Sequence, residues 1–104
     1  MVAKITPQEA YQIMKEAKEE FILLDVRTPP EYKKARIDGA KLIPVDELAS
    51  RAPVELSDKH MFILVYCQSG ARADRAAKIL KRMGYDNVYN FGGITGWPYG
   101  IIAG

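Results

Sequence analysis

The sequence predicts an α/β fold, in which a mostly parallel sheet is covered by helices on both faces. Apolar, β-branched or aromatic runs alternate with helix-start signals, which is typical of strands joined by helices. Residues 61–66 form a continuous apolar run, as expected for a central strand covered on both faces. A chain of 104 residues can bury one modest core, so a single domain over residues 1–104 is expected.

Two capping boxes predict helix starts in the first third of the chain. Thr6-Pro7-Gln8-Glu9 places proline at the first helical position and predicts a helix that ends between residues 15 and 18. Thr28-Pro29-Pro30-Glu31 repeats the signal and predicts a short helix that holds residues 31–34.

Shorter strands and two more helices complete the predicted fold. The strands are expected over residues 21–25, 41–43 and 87–91, and Gly92-Gly93 is expected to turn the chain after the last of them. One or two helical turns are predicted over residues 45–51. A longer helix is predicted from small and apolar side chains at helical spacing, with Gly84 as its C-cap: Ala73, Ala76, Ala77, Leu80 and Met83.

Composition excludes several classes of partner. The net charge is only +2 and the basic residues are dispersed, so no nucleic-acid partner is expected. No apolar run is long enough for a signal peptide or a membrane span, which predicts a cytosolic protein without membrane association. One cysteine and one histidine fall short of the four ligands of structural zinc, and no metal or cofactor is expected.

Cys67 is the predicted nucleophile. It follows the predicted central strand and precedes a predicted helix, which places its sulfur at the edge of the sheet where α/β folds bind ligands. The helix start directs unpaired N–H groups and positive partial charge at this point, and Gly70 lets the loop curl. Such an anion cradle favours the thiolate. The alternative is a small apolar residue that ends a strand, a common role of free cysteine.

The candidate partners of the thiolate are Arg72 and His60. Arg72 offers a planar donor fork suited to an oxyanion such as thiosulfate, and the alternative is a solvated arginine in a first helical turn. His60 precedes the central strand, so at about 3.3 Å per residue it is expected roughly 20 Å from Cys67. A cysteine and histidine pair is therefore not predicted.

Four segments resemble the rhodanese family of sulfurtransferases. Cys67-Gln68-Ser69-Gly70-Ala71-Arg72 is similar to the active-site loop of single-domain rhodaneses. The other segments are LLDVRTPPEY at 23–32, IDGAKLIP at 37–44 and FGGITGW at 91–97. Their order and spacing match over nearly the whole chain.

The resemblance implies a rhodanese-like three-layer fold and sulfur transfer through a persulfide on Cys67. Backbone amides of the loop are expected to surround the sulfur and bind the substrate, which makes the substrate-binding residues Gln68, Ser69, Gly70, Ala71, Arg72 and Ala73. The implied partners are a small donor, thiosulfate or a persulfide, and a thiol or cyanide acceptor, such as thioredoxin or a sulfur-accepting protein. Asp25 and Arg27 are expected to form a supporting ion pair, or else a strand-end pair without a chemical role.

Three positions depart from the commoner rhodanese pattern. Gln68 stands where many members have a basic residue, and Ala73 where many have serine or threonine. Ala35-Arg36 replaces a frequent Gly-His pair, and Arg36 is counted among the supporting residues. These changes leave the nucleophile and the amide cradle intact and bear on which donor is preferred.

Two other functions are alternatives to sulfur transfer. A cysteine phosphatase has a similar loop, but with one residue more between cysteine and arginine than the four found here, so the cradle is expected to be too tight for phosphate. The second is a binding or sensing module without catalysis. The presence of Cys67, Gly70 and Arg72 together favours an enzyme.

Overall fold

The computed structural model describes residues 3–16 and 20–104. Its strands are β1 (Ala3–Lys4), β2 (Phe21–Asp25), β3 (Lys41–Leu42), β4 (Phe62–Cys67) and β5 (Val88–Gly93). They form one sheet in the order β1-β5-β4-β2-β3, and each of these neighbouring pairs is parallel. The predicted α/β sheet is confirmed, with β4 at its centre. β1 was not predicted, because two residues are too few to show a pattern.

Within the described residues, four α-helices connect the strands: α1 (Pro7–Glu16), α2 (Pro29–Lys34), α3 (Leu48–Glu55) and α4 (Ala71–Arg82). The capping box of α1 forms as predicted, with Thr6 N–H donating to Glu9 Oε1 at 2.9 Å and Glu9 N–H to Thr6 Oγ1 at 3.0 Å. The predicted extension of this helix to residue 18 lies outside the described residues. Among the described helices, none has the length and apolarity needed to cross a bilayer.

The helix after β3 is longer than predicted. A 3₁₀ turn over Val45–Glu47 leads into α3, which continues past Pro53 to Glu55 instead of ending at residue 51. Two interactions account for the added length. Buried Leu48, Ala52 and Leu56 continue one apolar face. The side chain of Arg51 bonds both Glu47 and Glu55, one turn away on either side.

The end of β5 also differs from the prediction. Gly92 and Gly93 do not turn the chain but belong to the strand, and Gly93 pairs with Cys67 beyond a register shift in β4. The turn comes next, as a 3₁₀ segment over Ile94–Gly96. Gly92 has a φ of +99°, a conformation that glycine adopts readily. This strand end therefore lies directly beside the Cys67 loop.

Alternate strand residues face two separate cores, which confirms the three-layer arrangement. On one face, α3 and α4 pack on residues that include Leu24, Ile63 and Val65. On the other face, Ala10 of α1 and Trp97 pack on residues that include Leu23, Leu64 and Phe91. Trp97, Tyr66 and Tyr85 are buried, and such large rings contribute much of the buried area in a small domain.

Leu80→Ala is expected to lower the free energy of unfolding by about 2–5 kcal/mol, because Leu80 is fully buried between α4 and the sheet and its truncation leaves a cavity. Val54→Ala is the control, since Val54 is 82% exposed and its truncation should change stability by no more than about 0.5 kcal/mol. Urea unfolding measures both. Equal losses would contradict the placement of Leu80 in the core.

Candidate active site

The Cys67 sulfur lies at the amino terminus of α4. Cys67 is the last residue of β4 and only 1% exposed. Gly70 caps α4 with a φ of +111°, and its N–H donates to Cys67 Sγ at 2.9 Å. The sulfur therefore accepts a backbone amide hydrogen bond at the start of a helix, where unpaired N–H groups and the positive end of the helix dipole lie. The predicted position of Cys67 after the central strand and before a helix is confirmed.

Residues of β5 and the turn after it hold the outer side of the loop. Thr95 donates its N–H and its hydroxyl to the Gln68 carbonyl, at 3.4 and 3.0 Å. Asn90 is buried, accepts the Gly92 N–H at 2.8 Å, and directs its side-chain amide at the Gly70 carbonyl at 3.5 Å. Two carbonyls of the loop are thus held by groups outside it.

The anchored carbonyls set the direction of the amides that follow them. All peptide bonds of the described residues are trans, and in a trans peptide the C=O and N–H groups point in opposite directions. The Ser69 and Ala71 amides therefore point away from Thr95 and Asn90. The Gly70 N–H points to Cys67 Sγ, and backbone N–H groups at a helix start are the kind of donor that binds anions.

Gly93 allows the close approach of β5 to the loop. A Cβ atom at this position would lie 2.0 Å from the Gln68 carbonyl oxygen and 2.7 Å from Ser69 Cα, both of which are backbone atoms. No side-chain rotation can relieve such contacts. The loop keeps its conformation only with glycine at position 93.

The predicted ion pair between Asp25 and Arg27 is confirmed. Both side chains are buried, and Arg27 donates to Asp25 through Nη2 at 2.6 Å and through Nε at 3.0 Å. The same Nη2 donates to the Ala35 carbonyl at 2.6 Å, and Nη1 lies 3.5 Å from Gln68 Oε1. Arg27 therefore connects the end of β2 with the end of α2 and with the first residue of the loop.

Arg72 is bound by a carboxylate instead of being free for an oxyanion. Its Nη1 and Nη2 donate to Glu31 Oε1 and Oε2 at 2.7 and 2.9 Å. Glu31 also accepts the N–H and hydroxyl of Thr28, at 3.0 and 2.9 Å, in the capping box of α2. The bonds from Arg72, with those from Thr28, lower the pKa of Glu31 from 4.5 to about 2, against the opposing effect of burial. This partner explains a basic residue in the first turn of α4.

Arg36 contacts the carboxyl-terminal segment instead of the loop. Its backbone pairs with Ile102, and its Nη1 donates to the carbonyls of Tyr32 and Gly104, each at 3.2 Å. Its guanidinium lies 4.7 Å from the centre of the Tyr32 ring. Within the described chain, these contacts give Arg36 a structural role and do not reach Cys67.

His60 lies at the opposite end of β4 from Cys67. It is exposed, and its Nδ1 is 2.7 Å from Asp86 Oδ2. This position before β4 agrees with the expected separation of His60 from Cys67.

A groove of about 400 Å³ opens beside the loop. The residues that line it come from β2, α2, the loop and the carboxyl-terminal part: Arg27, Glu31, Lys34, Gln68, Ile94 and Ile101, with Ala35 and Thr95. Gln68 is a loop residue predicted to bind substrate. The groove therefore reaches the first residue of the loop after Cys67.

Sequence reasoning assigned no role in the site to Glu31, Asn90 or Thr95. Glu31 was recognised only as part of a capping box, and its second contact joins residues 41 positions apart. Asn90 carried one usable signal, a polar residue inside a predicted strand. Thr95 lies in a segment that resembles the rhodanese pattern, but its bond to Gln68 depends on the tertiary fold.

Gly93→Ala is expected to lower the free energy of unfolding by about 1–3 kcal/mol, because the new methyl group forces backbone atoms of the loop apart. Gly96→Ala is a matched control three residues away, where a Cβ atom meets nothing within 4 Å. Chemical unfolding of both variants measures the difference. A control that loses as much stability as Gly93→Ala would refute the steric argument.

The contribution of the Glu31 and Arg72 pair should depend on pH. Because folding lowers the pKa of Glu31, its contribution is fully present above 4.5 and declines as pH falls toward about 2. The stability difference between the native protein and Glu31→Gln should therefore be constant at neutral pH and shrink between these values. Denaturation at a series of pH values measures it, and a difference that grows in acid has the wrong sign for this pair.

Comparison with known proteins agrees with this geometry. The family model described as Rhodanese-like domain matches residues 6–98. The thiosulfate sulfurtransferase PspE of Escherichia coli is 38% identical over 71 residues, which cover 68% of this chain and 68% of the relative. A sulfurtransferase of Allochromatium vinosum is 35% identical over 82 residues, 76% of this chain and 73% of that one.

A solved structure described as a rhodanese with anions from E. coli superposes with a TM-score of 0.76 at 33% identity. The match covers 82% of this chain and 100% of that one. The family, the fold and the enzyme class predicted from the sequence are therefore confirmed. This chain belongs to the rhodanese-like domain family, as a transferase of the rhodanese type.

Proposed function

We propose that the protein moves a sulfane sulfur from a small donor to a thiol or cyanide acceptor through a persulfide on Cys67. The observation that carries the proposal is the hydrogen bond from Gly70 N–H to Cys67 Sγ at the start of α4. It stabilises an anionic sulfur without a neighbouring base. The same donors can stabilise the outer sulfur of a persulfide anion.

In the first step, the Cys67 thiolate attacks the outer sulfur of the donor. With thiosulfate, a bond forms between Sγ and the sulfane sulfur, and the bond between that sulfur and the sulfonate breaks. Sulfite leaves with the electron pair and both negative charges, and Cys67 becomes a persulfide anion. Atoms and charge balance without an external oxidant or reductant.

In the second step, an acceptor attacks the outer sulfur of the persulfide. The bond between the two sulfurs breaks, and Cys67 returns to the thiolate. Cyanide leaves as thiocyanate, and a thiolate acceptor leaves as a persulfide. We include thioredoxin or a sulfur-accepting protein among the acceptors, since each can present a thiol.

The loop supplies binding and orientation in both steps. We assign substrate binding to the backbone of residues 68–73, because these residues lead into α4 and form its first turn. Asp25 and Arg27 are proposed as positioning residues, supported by the contact of Arg27 with Gln68. The relative named thiosulfate sulfurtransferase supports thiosulfate as one donor, and the solved rhodanese described with anions supports an anion cradle.

We also propose that the protein works in a reducing, cytosolic compartment. The chain contains one cysteine, and the proposed chemistry needs it as a free thiolate. Thiols are kept reduced in the cytosol.

Intact mass spectrometry after incubation with thiosulfate should show the gain of one sulfur atom, lost on adding cyanide. Cys67→Ser should gain none and keep the native fold, because serine is nearly isosteric but far too basic to ionise in the cradle. Circular dichroism of the variant is the control. Sulfur gain by Cys67→Ser, or aryl phosphate hydrolysis that depends on Cys67, would contradict the proposed transfer.

A further inference from the structure

The groove beside the loop presents a carboxylate to an incoming donor. Of its charged lining residues, Arg27 is 2% exposed and paired with buried Asp25, so its charge is balanced inside the protein. The side chain of Glu31 is 30% exposed on the groove wall. Lys34 supplies a cation at the exposed end of α2, where water screens it. Arg72 is not one of the described residues that line the groove.

The contacts of Glu31 hold its carboxylate in one orientation. Arg72 binds both oxygens in the two-pronged geometry that is strongest for this pair. The N–H and hydroxyl of Thr28 bind Oε1 from another side. The guanidinium that could have received an oxyanion is thereby occupied, and its charge is neutralised beside the nucleophile.

We propose that Glu31 is a specificity-determining residue, which selects against doubly charged donors such as thiosulfate and in favour of organic persulfides. This inference rests on the proposed function of Cys67. A dianion that enters the groove meets the fixed carboxylate of Glu31, whereas a persulfide with an uncharged organic group meets less repulsion. Repulsion of the wrong ligand is a common source of specificity.

The persulfide reaction balances as the thiosulfate reaction does. The Cys67 thiolate forms a bond to the outer sulfur of RS–SH, and the bond between the two sulfurs of the donor breaks. RS⁻ leaves with the electron pair, and the hydrogen remains on the outer sulfur, which is now bound to Cys67. The leaving group is a thiolate with one charge instead of sulfite with two.

Glu31→Gln tests the proposal, because glutamine can keep the capping box of α2 while losing the charge that pairs with Arg72. Glu9→Gln is the matched control, since Glu9 occupies the same place in the capping box of α1 and changes the net charge equally. The donors are thiosulfate and the persulfide of 2-mercaptoethanol, each with cyanide as acceptor. The inhibition constant of sulfate, which cannot donate sulfur, is measured as well.

Glu31→Gln should raise kcat/KM for thiosulfate about tenfold, as expected when one repulsive charge is removed from the wall of a partly buried groove. The value for the persulfide should change by less than about twofold, because that donor lacks the second charge. Sulfate should inhibit the variant more strongly, and Glu9→Gln should behave as the native protein. A proportional change with both donors, or no change, would overturn the role of Glu31.

The failure of the inference is distinguishable from that of the proposed function. If the native protein loads sulfur from neither donor, the function itself fails. If it loads sulfur and the donor ratio ignores Glu31, only the inference fails. Glu31→Gln in an Arg72→Gln background gives a second test. In that background, loss of the carboxylate should still raise kcat/KM for thiosulfate. An unchanged donor ratio in that background would overturn the proposal even if Glu31→Gln alone is poorly folded.

Discussion

The contact between the glycine end of β5 and the Cys67 loop is the constraint on which the site depends. Gly93 pairs with Cys67 and lies against the Gln68 carbonyl at a distance that leaves no room for a Cβ atom. Thr95 can reach the same carbonyl because the chain turns just after this strand. The orientation of the loop amides, on which the proposed sulfur chemistry relies, follows from this backbone contact. The cradle is built by the sheet and not by charged side chains.

A single carboxylate links two helix starts. Glu31 completes the capping box of α2 and also binds Arg72 in the first turn of α4. A carboxylate is favourable near a helix amino terminus and a guanidinium is not, so the pair turns an unfavourable arrangement at α4 into a neutral one. Since α2 begins soon after β2, the ion pair of Glu31 with Arg72 joins the end of β2 to the start of α4, beside the Cys67 loop.

Local patterns predicted most of the fold and the position of Cys67 between the central strand and a helix. The capping boxes, the apolar run of β4 and the glycine at position 70 each depend on residues close in sequence, and the structure contains all of them. The end of α3 was wrong for a local reason, whereas two other failures concern long-range contacts. Pairing of Gly93 with Cys67 made a predicted turn into strand, and Glu31 occupied the fork of Arg72 from 41 residues away. Neither of these two contacts can be predicted from a periodic pattern in the neighbouring sequence.

The burial of the lone thiol has a consequence for oxidative damage. A cysteine oxidised to sulfenic acid is commonly rescued by condensation with a second thiol. This chain has only one cysteine, and that residue is 1% exposed beneath its loop. Rescue must therefore come from a thiol outside the chain that reaches the sulfur through the same opening as the substrates. The burial that limits attack on Cys67 by oxidants also limits its repair. The time that Cys67 spends without a bound sulfur therefore influences how long each molecule stays active.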